Sequence, residues 1–159
     1  MAKKSKLPKG IKPIARNKKA RHKYHILETY EAGIALQGTE VKSLREGKVS
    51  LAESYARVVR DEVFLYGAHI DAYKAGSYLN HDPVRPRKLL LHKREIRRLG
   101  STLAEKGLTL VPTALYFRRN MAKVELALVR GKKRHDKRES LRKRDAERSM
   151  RRAMASRRR

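Results

Sequence analysis

Alternation of apolar and polar positions is strongest near the two ends of the middle of the chain. Tyr24 to Tyr30 alternates with period two: Tyr24, Ile26 and Glu28 oppose His25, Leu27 and Thr29, which predicts a strand. Met121 to Val129 repeats the pattern, with Ala122, Val124, Leu126 and Leu128 facing one way and Lys123 and Glu125 the other. Leu108 to Phe117 is a third, more uniformly apolar strand, and its Pro112 predicts an edge or a bulge there. Arg119-Asn120 turns this strand into the next. Ser54 to Arg60 and Val63 to Ile70 are two further runs separated by Asp61-Glu62, a hairpin signal.

Between these runs lie helical signals. Glu31-Ala32-Gly33 predicts a bend into the apolar piece Ile34 to Leu36, and Thr39 is placed to cap a brief helix over Glu40 to Arg45, stopped by Gly47. Asp71 to about Pro86 is a long irregular loop. Lys88 to Leu99 predicts an amphipathic helix with Leu89, His92, Ile96 and Leu99 on one stripe and Gly100 as its stop; Ser101 then caps a second short helix ending at Gly107. About six short strands with small helices predict a mainly β domain. A closed OB-like barrel removes sheet edges best, and an open α+β sheet is the alternative.

Charge divides the chain into three parts. The net charge of +26 is spread as +8 over residues 1–20, +8 over 21–130 and +10 over 131–159. Residues 1–20 have no acid and are interrupted by Pro8, Gly10 and Pro13, which reads as a flexible basic arm. Residues 21–130 are the barrel. Residues 131–159 form a basic tail with local helix support: Asp136 and Glu139 have capping-box spacing, and Glu139–Lys143 and Glu147–Arg151 are favourable pairs. Leu141, Met150 and Met154 do not share a face, so this helix has no side for a core. Its ordering free energy must come from outside, and a polyanion is the chemistry that fits. The residues leave two readings open: a helix that orders on a polyanion, and a disordered basic tail that adds only nonspecific affinity.

The same totals exclude much else. There is no cysteine, hence no disulfide, thiol nucleophile or zinc ribbon. The N-terminus lacks the apolar segment of a signal peptide, and no apolar run is long enough to span a bilayer, so a cytoplasmic location is expected. Gly33 to Gly38 has the spacing of a phosphate loop, but Thr39-Glu40 follows where Lys-Ser/Thr should stand. His22, His25, His69, His81, His92 and His135 include no metal-binding pair on a helix, and His92 reads as core. No catalytic constellation, cofactor site or metal site is found.

Several ordered segments carry a family resemblance. Asn17-Lys18-Lys19-Ala20-Arg21-His22, Glu31-Ala32-Gly33, Leu36 to Arg45, Gly67-Ala68-His69-Ile70, His81-Asp82-Pro83, Arg87 to His92, Lys106-Gly107 and Gly131 to Arg138 resemble, in order, the motifs of the small protein B family. The resemblance spans about residues 14 to 148 and implies an OB-type barrel with added helices. It also implies binding to the tRNA-like domain of transfer-messenger RNA (tmRNA), and delivery of the alanyl-charged RNA, with elongation factor Tu, to ribosomes stalled on messages without a stop codon. In that reading the protein acts as a monomer, and its tail, disordered when free, folds as a helix in the vacant mRNA channel beyond the decoding centre.

Carried over residue by residue, the resemblance assigns the tmRNA surface to Asn17, Arg21, His22, Glu31, Leu90 and Lys123. It assigns the ribosomal contact to Gly131, His135, Asp136, Lys137 and Arg138. Cations hold phosphates, His22 stacks on a base or sugar and His135 on a base, Asn17 reads by donor and acceptor, and Gly131 is a hinge between barrel and tail. Glu31 accepts from a base amine or a 2′-hydroxyl, or pairs with a neighbouring cation as a turn carboxylate; Leu90 reads equally as a core residue. Asp136 reads more as a helix cap than an RNA contact. His25 departs from the family pattern, where an aromatic is frequent. A competing function is a small structural ribosomal protein.

Overall fold

A computed structural model describes residues 10–156. Its strands are β1 (Ile11–Arg16), β2 (Tyr24–Ile34), β3 (Val49–Ser50), β4 (Tyr55–Val59), β5 (Glu62–Tyr66), β6 (His69–Ile70), β7 (Arg87–Leu90), β8 (Leu108–Arg118) and β9 (Met121–Gly131). The helices are α1 (Lys18–Lys23), α2 (Gly38–Arg45), α3 (Lys93–Leu103) and α4 (Arg134–Ser156).

The sheet closes on itself. Antiparallel pairing runs β8–β4–β5–β7–β2–β9, and β9 returns to β8, so six strands form a ring. The expected small mainly β barrel is what the chain forms. β1 lies outside the ring, on the edge of β8 that β4 leaves free: it pairs with Ala114 to Arg118, whereas β4 meets β8 at Leu110. β3 and β6 pair separately.

Two turns close hairpins through left-handed residues. Arg60 and Asp61 have φ of +49° and +59°, and Arg119 and Asn120 have +49° and +61°. Positive φ at both central residues matches the right-handed twist of the flanking strands. The first turn therefore sits one residue before the expected Asp61-Glu62. The inward residues of the ring, including Ala56, Val63, Leu65, Leu89, Leu110, Leu115, Val124, Leu126 and Leu128, form one buried cluster, closed by Leu44, Ile96 and Leu99 from the helices.

Several local expectations are corrected. Ile11–Arg16, expected in a flexible arm, is a strand paired to β8; residues 1–9 of that arm lie outside the described residues. Glu31-Ala32-Gly33 does not bend the chain, because β2 runs through it to Ile34 with continuous pairing to β9. The expected helix from Lys88 begins only at Lys93, since Arg87–Leu90 is recruited as β7 between β5 and β2. Gly100 does not stop α3, which continues to Leu103, so Ser101 caps nothing: its hydroxyl donates to Arg97 O inside the helix. His92 is exposed, immediately before α3, and not in the core. No helix among the described residues is long and apolar enough to cross a membrane.

Candidate nucleic-acid interface

The basic helix α1 rests on the outside of the barrel. Its inward side is one small residue, Ala20, buried with Val111, Ala127 and Val129 against Tyr24 and Ile26. These outward-facing positions of β8, β9 and β2 make a second, minor core. Asn17 fixes the start of the helix. Its Oδ1 accepts the Ala20 N–H at 3.1 Å, and its Nδ2 donates to Leu51 O and Pro112 O at 3.1 and 3.2 Å. The Asn17 backbone N–H also donates to Thr113 O at 2.8 Å. Both amide hydrogens are thus spent on the fold, so Asn17 positions α1 and has no donor to spare for reading a base. Arg21 is exposed and His22 half-buried.

The other predicted residues lie further along the same face. The register aligns Leu90 of β7 with Gly33 of β2, Gly33 with Lys123 of β9, and Lys123 with Tyr116 of β8. These four positions form one row across four strands. Gly33 permits it: a Cβ there would stand 3.2 Å from the Leu90 Cβ, too tight without a shift. Leu90 is 53% exposed and not a core residue. Glu31, two residues before Gly33, shares the outward side. From Lys123 through Glu125 and Ala127 to Val129 the face extends about 20 Å at the rise of a strand, from the Leu90 row to the ground beneath α1.

Glu31 is held in place rather than free to swing. Its carboxylate accepts the Tyr116 hydroxyl at 2.5 Å and Arg118 Nη1 at 3.0 Å. The Tyr116 hydrogen bond holds its pKa below the usual carboxylate value against the opposing effect of partial burial, and the Arg118 and Lys123 charges add to the lowering. Burial, and then the same contact, pushes the Tyr116 hydroxyl far up. An ionised carboxylate with lone pairs left toward solvent can accept from a ribose hydroxyl or a base amine.

Tyr116 and Arg118 escape a sequence reading because of a bulge. Pairing shifts between Pro112 and Ala114, so Leu110 faces inward before it whereas Leu115 and Phe117 face inward after it. Pro112 announced the bulge. Its width decided which parity faced out.

The tail is rooted on α1. Gly131 ends β9 opposite Tyr24, with none of the positive φ that a glycine hinge would use. The Lys132 N–H donates to Lys23 O at 3.0 Å, and its ammonium donates to Arg21 O at 3.0 Å. Asp136 accepts the Lys133 N–H at 3.2 Å and stands 3.5 Å from His25 Nε2. It therefore acts from the third position of α4, reaching back, and is not the residue preceding the helix. That backbone N–H, then His25, holds its pKa below the ordinary value. His135 and Arg138 are exposed and Lys137 half-buried. α4 buries none of its residues, as expected for a helix without an apolar side.

A buried ion network was not foreseen. Glu40 and Arg87 have no exposed area. The Glu40 carboxylate accepts Arg87 Nε at 2.7 Å, Arg85 Nε and Nη2 at 2.9 and 2.6 Å, and the Gln37 N–H at 2.7 Å. Burial acts to raise its pKa, but these donors outweigh it and hold the value low. The sequence excluded a phosphate loop because of Glu40; the arginines that occupy it are more than forty residues away in the chain. Among the described residues no group of His, Asp and Glu is arranged to hold a metal.

The model of the family described as SmpB protein matches residues 14–156. An SsrA-binding protein of Carboxydothermus hydrogenoformans is 59% identical over 146 residues, 92% of this chain and 98% of the relative. One from Acidothermus cellulolyticus is 60% identical over 148 residues, 93% of each chain. A solved chain described as "tmRNA-SmpB: a journey to the center of the bacterial ribosome" is 56% identical, with a TM-score of 0.65 over 80% of this chain and 94% of that one. On this similarity over nearly its whole length, the chain belongs to the SmpB protein family.

Proposed function

We propose that this chain binds the tRNA-like domain of tmRNA and delivers it to ribosomes stalled on messages without a stop codon. The activity is recognition and delivery, with no catalytic step of its own. One observation carries the reading: α1, with Arg21 and His22, and the row of Leu90, Lys123 and the anchored Glu31 form one continuous outer face, and the helix α4, which buries none of its residues, starts where that face ends. Arg21 and Lys123 take phosphates, His22 stacks, Glu31 accepts from sugar or base, Leu90 packs against a base or ribose, and Asn17 holds α1 for them. His135, Lys137 and Arg138 engage small-subunit ribosomal RNA at the decoding centre, while Asp136 fixes the start of the helix that carries them. Past its first turn, where Asp136 meets His25, α4 buries nothing of its own, and it gains its partner when the mRNA channel is empty. The protein works in the cytoplasm as a monomer, with elongation factor Tu bound to the charged RNA.

The test separates the two surfaces. Arg21→Ala with Lys123→Ala should weaken binding of the isolated tRNA-like domain, while Lys137→Ala with Arg138→Ala should leave that affinity intact and abolish peptide tagging in a reconstituted translation system. Equal loss of RNA affinity in both variants would refute the division.

A further inference from the structure

The loop between β6 and β7 presents the most exposed large apolar side chains among the described residues: Tyr78 at 89% and Leu79 at 71%. It is nevertheless firmly built. At its base Arg87 ties Glu40 to Ala68 O and Pro83 O, and the buried His81 bridges Thr39 and Ile70 O at 2.9 and 3.0 Å. At its neck Asn80 clasps Tyr73: Nδ2 donates to Tyr73 O at 2.7 Å, and Oδ1 accepts the Tyr73 N–H at 2.9 Å. At its crown Ser77 adopts φ +47° and opens the 3-10 turn Ser77–Leu79. A serine in the left-handed region persists only where its surroundings impose it. Such ordering ordinarily serves to bury apolar groups. Here it holds two of them out in water.

The charges at the neck of this loop select its partner. The Lys42 ammonium lies over the Tyr73 ring, 5.3 Å from the centroid, and Lys74 is exposed; neither has a carboxylate partner among the described residues. The nearby acids are engaged. Asp71 pairs with His69 at 3.1 Å, and the Asp82 carboxylate accepts the Val84 N–H at 3.0 Å. What remains free is an aromatic ring with cations near it, the combination that stacks an unpaired base and holds its phosphates.

We propose that Tyr78 and Leu79 form a stacking tip for an unpaired RNA base, with Lys42 and Lys74 taking the adjacent phosphates. This site stands apart from the face of α1, β2 and β9, and does not depend on which RNA that face binds.

The chain contains no tryptophan, so Tyr78→Trp in the full-length protein supplies a reporter confined to the tip. Its emission is followed while an oligoadenylate of about 12 nucleotides, a fully paired RNA duplex, or poly-glutamate is added. The single strand should quench the emission to saturation, with the duplex and poly-glutamate leaving it unchanged. Adding Lys42→Ala and Lys74→Ala to the reporter protein should raise the midpoint about 10-fold, and Leu79→Ala about 5-fold, the range expected when stacking or phosphate contacts are removed. Unchanged emission at oligoadenylate concentrations where a mobility shift shows saturated binding would overturn the proposal. So would equal quenching by the duplex. Quenching by poly-glutamate equal to or above that by oligoadenylate would also overturn it, and would make the tip a protein-docking element.

Discussion

The Lys132 ammonium donates to the carbonyl oxygen of Arg21 at 3.0 Å, so the second residue of the tail caps the last turn of the helix that carries Arg21 and His22. A cation at a helix C-terminus satisfies an orphan carbonyl and complements the helix dipole. Barrel face and tail are therefore joined through α1, not merely adjacent in sequence.

The position of a truncation follows from this contact. Cutting after Arg130 removes Gly131, paired to Tyr24, and Lys132 with both its bonds to α1. Cutting after Lys133 spares them. The shorter protein should bind the tRNA-like domain several-fold more weakly than the longer one, and amide exchange in α1 should be faster. Equal affinities and equal exchange would show that the cap does not organise α1.

Removing the carboxylate of Glu40 leaves Arg87 buried without its charged partner. Glu40→Ala should destabilise the fold by about 3–5 kcal/mol in chemical denaturation, the usual cost of breaking a buried pair from one side. Because the folded pKa of Glu40 is depressed, its contribution is present above the unfolded value near 4.5 and is lost as pH falls through the folded value. Stability of Glu40→Gln should therefore depend less steeply on pH below about 4.5 than that of the parent.

Glu31 offers a test on the surface. Tyr116→Phe removes the strongest donor to its carboxylate, so the Glu31 pKa should rise toward the ordinary value, as read by NMR titration. The ion pair with Arg118 is exposed, so Glu31→Gln should change stability by less than about 1 kcal/mol. Its effect should appear in RNA affinity instead.

Leu90 separates packing from recognition in the same way. At 53% exposure, Leu90→Ala should alter stability by no more than about 0.5 kcal/mol, while RNA affinity falls. A loss of several kcal/mol in denaturation would make Leu90 a core residue after all.

The tail peptide alone should be weakly helical. Residues 131–156 bury nothing in α4, and most helical stability in proteins comes from packing an apolar face, which this helix lacks. Circular dichroism at 222 nm should deepen on adding RNA and reverse with salt. A full helical signal in plain buffer would contradict this.

What the sequence by itself determined was local. Alternation marked β2 and β9, Pro112 marked the bulge of β8, Arg119-Asn120 marked a tight turn, and the scattered Leu141, Met150 and Met154 marked a helix with nothing to bury. Each of these follows from neighbours within a few residues. Tertiary structure decided the rest, because partners distant in the chain outweighed local preference. Edges of β5 and β2 took Lys88–Leu90 from a plausible helix and turned Leu90 outward. The free edge of β8 made a strand of Ile11–Arg16, and Arg85 and Arg87 made Glu40 the centre of the loop's support. The bulge then set which side of β8 met Glu31, a matter of parity that no single strand carries within itself.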